Sequence, residues 1–242
     1  MKFKTPKKLL ASLFTCSLLL ASSVHATVIV GSFTGADAGE GLDFSGQFEY
    51  AVNARGPGGM TIGDAVFTND AATGVSLVAQ NEILNWHSAN YGASADDDAL
   101  ESVMSSIRWS SRGTNVMTID LAGLTVGNDY SFQMLFAESC CTRGFDIFAE
   151  GSIIADDFAP YLLQGSTNNT SVGAFVRYDF TAADAALNIA FGGSAPFNDN
   201  NPIINAFTLE NNTVSVPEPT TIALLGLGLL GLGVRKRALR RI

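Results

Sequence analysis

Residues 85–91 read Asn-Trp-His-Ser-Ala-Asn-Tyr, so an indole, an imidazole and a phenol fall within seven positions beside two carboxamides. Trp86 and Tyr91 could stack on the C–H face of a sugar ring while nearby Asn and Asp groups hydrogen-bond its hydroxyls. The same rings could instead pack beneath a loop, and the sequence leaves both readings open. Cys140 and Cys141 are adjacent. In an oxidising compartment they could close a vicinal disulfide, which is a tight ring because consecutive Cα atoms lie only about 3.8 Å apart. Two free thiols, or bridges to another chain, are the alternatives. Asp96, Asp97 and Asp98 open a helical pattern, where acids suit the helix dipole. Calcium is the alternative for these three, although no EF-hand spacing follows them.

Other chemistry is not supported. His87 and two adjacent cysteines fall short of a tetrahedral zinc set. The chain has no nucleophile elbow, phosphate-binding loop or dinucleotide fingerprint. Acids such as Asp146, Glu150 and Asp199 are too numerous for any pair to be singled out as a glycosidase dyad. The expectation is therefore a non-enzyme without a cofactor, calcium aside.

Charge placement excludes further classes. The 242 residues carry 14 Lys+Arg against 23 Asp+Glu. Nine of the bases sit in the first and last 26 residues, and Glu218 is the only acid there. The middle keeps Arg55, Arg108, Arg112, Arg143 and Arg177 against 22 acids, a net charge of −17 with no lysine. Such a surface repels nucleic acid and anionic lipid.

The basic ends read as addresses. Lys2, Lys4, Lys7 and Lys8 precede an apolar run over 9–20 and a small-residue stop at Ala26, the three parts of a secretory signal peptide over 1–26. At the other end, Pro217, Glu218 and Pro219 precede thirteen apolar residues (222–234) and then Arg235, Lys236 and Arg237. That run makes about 20 Å of helix, a marginal span on its own. This tripartite tail, 214–242, resembles the PEP-CTERM sorting signal of exopolysaccharide-producing Gram-negative bacteria. The resemblance implies recognition by an exosortase, transient anchoring in the inner membrane, and release to the cell surface or matrix. A plain C-terminal anchor after a proline linker is the alternative.

The elements that must position the chemistry lie between, in residues 27–213. Tyr130, Phe132, Met134 and Phe136 alternate onto one strand face, as do Phe145, Ile147 and Ala149. Further strands are expected over 28–33, 45–53, 60–68, 75–80, 115–121, 152–155, 174–181, 186–191 and 203–210, separated by Gly, Asn and Asp. One helix is expected from residue 96, with Leu100, Val103, Met104 and Ile107 on one face and Ser94 or an early aspartate as its cap. The class is all-β, an antiparallel two-sheet sandwich with one short helix.

The order of segments also resembles malectin-type domains. Residues 48–59 (Phe-Glu-Tyr-Ala-Val-Asn-Ala-Arg-Gly-Pro-Gly-Gly) look like the opening strand and glycine turn, and 135–138 (Leu-Phe-Ala-Glu), 144–151 and 201–207 follow in family order. The resemblance implies a jelly-roll related to carbohydrate-binding modules, with polysaccharide or another glycan as partner. Two departures matter. Where the family carries an aromatic pair after Phe-Ala-Glu, this chain has Ser-Cys-Cys-Thr over 139–142. The family's Asp before Asn-Pro corresponds to Asp199, displaced by one residue with Asn200 intervening. The sugar-contact candidates are therefore Trp86, Tyr91, Asp199 and Asn200, and a structural or adhesive matrix protein without a defined sugar site is the rival.

Overall fold

The structure is a computed structural model that describes residues 26–114, 116–192 and 199–213. The expected signal peptide (Ala26 apart) and the sorting tail from residue 214, including Pro217 to Pro219 and the basic cluster, lie outside the described residues. No helix among the described residues is long and apolar enough to cross a membrane.

The chain forms an all-β sandwich. Its larger sheet runs in the order β1 (Thr27–Phe33), β12 (Gly173–Thr181), β9 (Asp129–Phe136), β15 (Ala206–Asn211), β2 (Phe48–Asn53), β4 (Ala65–Asn69), β3 (Met60–Ile62). The facing sheet runs β11 (Ser152–Phe158), β10 (Phe145–Ala149), β13 (Ala186–Gly192), β8 (Met117–Ala122), β5 (Val75–Val78). A small third sheet joins β14 (Ile203–Ile204), β7 (Ile107–Trp109) and β6 (Asn81–Ile83).

Alternation along the strands builds the core. Tyr130, Phe132, Met134 and Phe136 of β9 meet Phe145, Ile147 and Ala149 of β10 and Met117, Ile119 and Leu121 of β8 between the sheets. Aromatic pairs fill the middle, with ring centroids 4.7 Å apart for Phe136 and Phe158. The other face of β9 is also buried: Leu135, with Ala137 just beyond the strand, packs with Leu100, Val103 and Met104 of helix α1 (Ala95–Met104) and with Phe33, Ile62 and Phe67. Covered on both sides, the strand is buried without a break from Tyr130 to Phe136, Ser131 and Gln133 included.

Several expectations change. The 60–68 stretch is a hairpin rather than one strand, broken at Gly63 (φ +53°) and Asp64. A side chain at Gly63 would also strike the Phe44 carbonyl. The sheet is not wholly antiparallel, because β2 and β4 pair in parallel. The expected 203–210 strand is divided at Asn205 into β14 and β15, and the short strands β6 and β7 were not anticipated, with Ile107 in β7 rather than on the helix. A second, one-turn helix α2 (Pro160–Leu163) starts with proline in its first turn, where no amide is required.

One buried polar residue ties the layers together. Asn205 donates from Nδ2 to the carbonyls of Met104 (2.7 Å) and Ser106 (3.2 Å) and accepts from the Ala137 amide at 2.8 Å. It thereby locks the end of α1 to the outgoing end of β9, with its amide group satisfied at both ends.

Candidate functional site

Beyond Phe136, strand β9 delivers Glu138 into the interior, where its side chain is fully buried. One carboxylate oxygen, Oε1, accepts from three successive loop amides, Ser139 (3.1 Å), Cys140 (3.3 Å) and Cys141 (3.3 Å). The other, Oε2, meets Arg143 Nε at 2.5 Å, and the Arg143 side chain is only 5% exposed. The backbone of Glu138 is held as well: its amide donates to Gln164 Oε1 (2.6 Å) and its carbonyl accepts from Gln164 Nε2 (3.1 Å). Burial pushes the Glu138 carboxyl above its ordinary value, against the lowering pull of Arg143 and the three amides.

Arg143 is the hub. Nη1 donates to the Asn201 carbonyl (3.1 Å), and Nη2 lies 3.7 Å from Asp199 Oδ2. The guanidinium carbon sits 5.5 Å from the centre of the Trp86 ring, a cation–π distance. Trp86 is half-buried and donates from Nε1 to the Ala137 carbonyl at 2.8 Å. The Gly144 amide donates to the Asp199 carbonyl, and the Asn201 amide donates back to Asp199 Oδ1. Trp86, the 139–142 loop and the 199–201 segment are therefore gathered at one end of the sandwich. Asn200, half-buried, lies in that segment.

The remaining candidates are placed differently. Tyr91 is 4% exposed and packs its ring on Phe33 and His87, with centroids 5.5 and 6.2 Å away, so it offers no face for a ligand. Burial, and secondarily the charge of Glu101, pushes its phenol far up. An aromatic-rich window does not reveal which ring turns inward, and here a short segment closing over the second core decides it. His87 is buried with Nδ1 2.9 Å from Ser139 Oγ. Burial lowers its pKa to about 4, partly opposed by the Thr170 backbone, so it is neutral at physiological pH. Cys140 and Cys141 are joined as a vicinal disulfide, with Cys140 exposed at the surface of the loop that caps Glu138.

The three successive aspartates do not converge, because a helix turns about 100° per residue. Asp97 is buried and accepts from the Ala36 amide (2.9 Å), Asp96 accepts from the Gly63 amide (3.2 Å), and Asp98 is exposed. Asp97 lies instead with Asp37 and Glu40, their oxygens within 4.8 Å of one another. Asp146, Asp156 and Asp157 form another such group, and Glu138 does so with the two cysteines. Asp97 is already occupied as a cap: with Ser94 it completes a reciprocal capping box at the start of α1.

Sequence reasoning missed Glu138 and Arg143 as a pair. Among the described residues Arg55, Arg108, Arg143 and Arg177 form ion pairs, and of these pairs it is Arg143–Glu138 that is buried on both sides. Scarcity was the available signal: in a domain with five cations, an arginine five residues beyond a strand-end glutamate is a candidate partner.

The comparisons with known proteins agree with this architecture. The model of the PEP-CTERM protein-sorting motif matches residues 215–238. By sequence, no curated protein matches the chain. Among solved structures, the chain is similar to a Bacteroides uniformis beta-glucuronidase 2, at 15% identity and a TM-score of 0.52, over 68% of this chain and 18% of that one. It is also similar to the ANXUR2 extracellular domain from Arabidopsis thaliana, at 14% identity and a TM-score of 0.52, over 71% and 51%. A similar match is the plant receptor-like kinase FER, at 14% identity and a TM-score of 0.50, over 69% and 50%. The chain thus matches about half of the receptor chains and less than a fifth of the glucuronidase, and the likeness concerns the fold. The tail carries the PEP-CTERM sorting motif, and the domain before it shares its sandwich fold with these structures. That signal indicates export, transient anchoring through the C-terminus and processing by an exosortase.

Proposed function

We propose that the chain is a non-catalytic glycan-binding module, residues 27–213, that works at the cell surface or in the extracellular matrix after its tail is removed. The observation that carries this reading is the gathering of Trp86, the Cys140–Cys141 loop and the 199–201 segment around Arg143. Trp86 supplies the stacking surface, and Asp199, Asn200 and Ser139 supply polar groups. The domain carries a net charge of −17. Contact with an anionic polysaccharide would therefore rely on stacking, hydrogen bonds or bridging cations rather than direct charge pairing.

The site lies at the Phe136 end of β9. β15 ends at the opposite end, because Asn211 pairs with Tyr130 near the start of β9. Seven residue steps at about 3.4 Å separate the two ends by roughly 24 Å.

The test is binding of the extracellular protein to the producer's own polysaccharide by titration calorimetry. Trp86→Ala and Asp199→Ala should each weaken binding about tenfold, which is 1.4 kcal/mol. Tyr91→Phe should leave it unchanged. Absence of binding by folded protein would favour a structural or adhesive matrix role. One observation supports that rival: the Arg143 guanidinium lies at cation–π distance from Trp86, and the buried charges are already paired within the protein. New reducing ends on polysaccharide that vanish on replacing one acid pair would overturn the non-enzymatic reading.

A further inference from the structure

Cys140 and Cys141 are the only cysteines after residue 16, and both are spent on one bridge. A disulfide stabilises a fold mainly by closing a long loop in the unfolded chain, and a bridge between neighbours encloses no residue at all. Stapling distant segments is therefore not its role. What it fixes is the backbone of the 139–142 loop, and that loop is the cap over the buried carboxylate of Glu138.

The two ends of the cap are held differently. The Ser139, Cys140 and Cys141 amides all donate to Glu138 Oε1, at 3.1, 3.3 and 3.3 Å. Successive amides converging on one anion form a compact backbone nest. Joining the last two side chains restricts the backbone to few conformations, including this one. Ser139 is pinned in addition by its hydroxyl, 2.9 Å from His87 Nδ1 and 3.4 Å from Asn169 Oδ1. Cys140 and Cys141 depend on the bridge; beyond it, Cys140 Sγ lies 3.9 Å from Arg143 Nη2. The two sulfurs also differ in access, since Cys140 is exposed and Cys141 is half-buried. Exposed disulfides are the ones open to exchange with an external thiol.

We propose that the Cys140–Cys141 bond is a thiol–disulfide exchange site: an exported dithiol opens it at Cys140, and the Cys140 and Cys141 amides then leave Glu138. One thiolate of the dithiol attacks Cys140 Sγ. A new S–S bond forms there as the Cys140–Cys141 bond breaks, and the electron pair of the broken bond goes to Cys141 Sγ, which takes a proton from water. The second thiol of the partner loses its proton to water, attacks the partner's own sulfur in the mixed disulfide and expels Cys140 Sγ, which is protonated in turn. The partner leaves as a disulfide, having given up two electrons and two protons, and the domain carries two thiols.

Once unbonded, the sulfurs separate to van der Waals contact, and Cys140, on the solvent side, is the one free to swing. Ser139 stays with His87, so the release is confined to 140–142. Glu138 keeps the Ser139 amide and the Arg143 ion pair, and the core is not disturbed. Cys140 Sγ withdraws from Arg143 Nη2, the same nitrogen that faces Asp199. On the glycan-binding reading, on which this last step rests, reduction removes a rigid wall of the site and weakens binding through lost preorganisation.

The test uses protein recovered from the extracellular fraction, before and after dithiothreitol without denaturant. Hydrogen exchange followed by NMR should speed up at least about tenfold at the Cys140 and Cys141 amides while β9 is unchanged. The double variant Cys140→Ser, Cys141→Ser should show the fast exchange with or without dithiothreitol, on an unaltered circular dichroism spectrum. In the single variants, oxidised glutathione should couple to Cys140 (in Cys141→Ser) at least about tenfold faster than to Cys141 (in Cys140→Ser). A bond that dithiothreitol opens only in urea, amide exchange equal in the two redox states, or equal coupling at the two cysteines would each overturn the proposal. Titration calorimetry with the producer's polysaccharide separates the two readings. Binding weakened about threefold or more by reduction supports both. Equal binding in the two states overturns the link between the bond and the site but leaves the glycan reading, whereas no binding in either state overturns the glycan reading and leaves the exchange site standing on its own measurements.

Discussion

Two regions of the molecule are each organised around a buried carboxylate, and they solve the problem of a buried charge differently. Asp97, at the start of α1, is answered by backbone dipoles: its carboxylate accepts from the Ala36 and Ser94 amides, while the Ser94 hydroxyl accepts from the Asp97 amide. Its pKa is lowered, with the Ala36 hydrogen bond as the first cause. Glu138 is answered by three loop amides and by a buried arginine, and its pKa is raised because burial outweighs them. The first arrangement is a hinge pin between a helix and the 34–40 loop. The second is a charged hub whose further contacts, at residues 86, 199 and 201, come from distant segments. A carboxylate satisfied by dipoles fixes local backbone, whereas one satisfied by a counter-ion imports whatever else that counter-ion touches.

The difference predicts unequal costs. Glu138→Ala leaves the buried Arg143 without its close counter-ion, with only the more distant Asp199 at 3.7 Å, and should destabilise the fold by about 3–5 kcal/mol in urea unfolding. Adding Arg143→Met to that variant should recover part of the loss, since the orphaned charge is then gone. A double variant no more stable than Glu138→Ala would mean that the hub contacts of Arg143, rather than its charge, hold the loop.

His87 sharpens the same contrast through pH. Its folded pKa of about 4 lies below the ordinary 6.5, so the unfolded chain binds the proton more readily between those values. Its contribution is complete above pH 6.5 and is lost as pH falls toward 4, amounting to roughly 3 kcal/mol. The urea midpoint should fall over that window, and the His87→Gln protein should lack this component. A wild-type midpoint that is flat from pH 7 to 4.5 would contradict it.

The sequence was most informative where the relevant signal was local. Alternation placed Tyr130, Phe132, Met134 and Phe136 on the core face, and a Ser94 with acids behind it marked the start of α1. The hairpin turn at Gly63 was hidden because apolar alternation continues on both sides of it. Strands β6 and β7 are only three residues long, too short for a period of two to be seen. The Glu138–Arg143 hub was not legible for a different reason: its meaning lies in contacts with Trp86, Asp199 and Asn201, and no spacing records which distant loops meet. Tyr91 shows the same limit, since composition marks an aromatic without saying which way it turns.

Replacement at Asp97 should cost less than at Glu138. Asp97→Ala removes hydrogen bonds from the Ala36 and Ser94 amides but strands no charge, so about 2–3 kcal/mol is expected. Because its folded pKa is lowered below 3.8, its contribution is present above that value and is lost as pH falls through the folded pKa. The Asp97→Ala protein should therefore lose less stability than wild type on acidification below about pH 4.

The smallest effect tests whether the two regions are separate. Ser94 accepts from the Asp97 amide at 3.1 Å and donates to Asp37 Oδ1 at 3.1 Å, so Ser94→Ala removes one side of the capping box and should cost about 1 kcal/mol. Ser94 and Asp97 share partners, so their double variant should depart from additivity by at least about 0.5 kcal/mol. Ser94 and Glu138 share none, so their costs should add to within about that amount. Clear coupling between Ser94 and Glu138 would break the distinction, and the connection to examine would then be Asn205, whose side chain reaches from the end of α1 to the Ala137 amide beside Glu138.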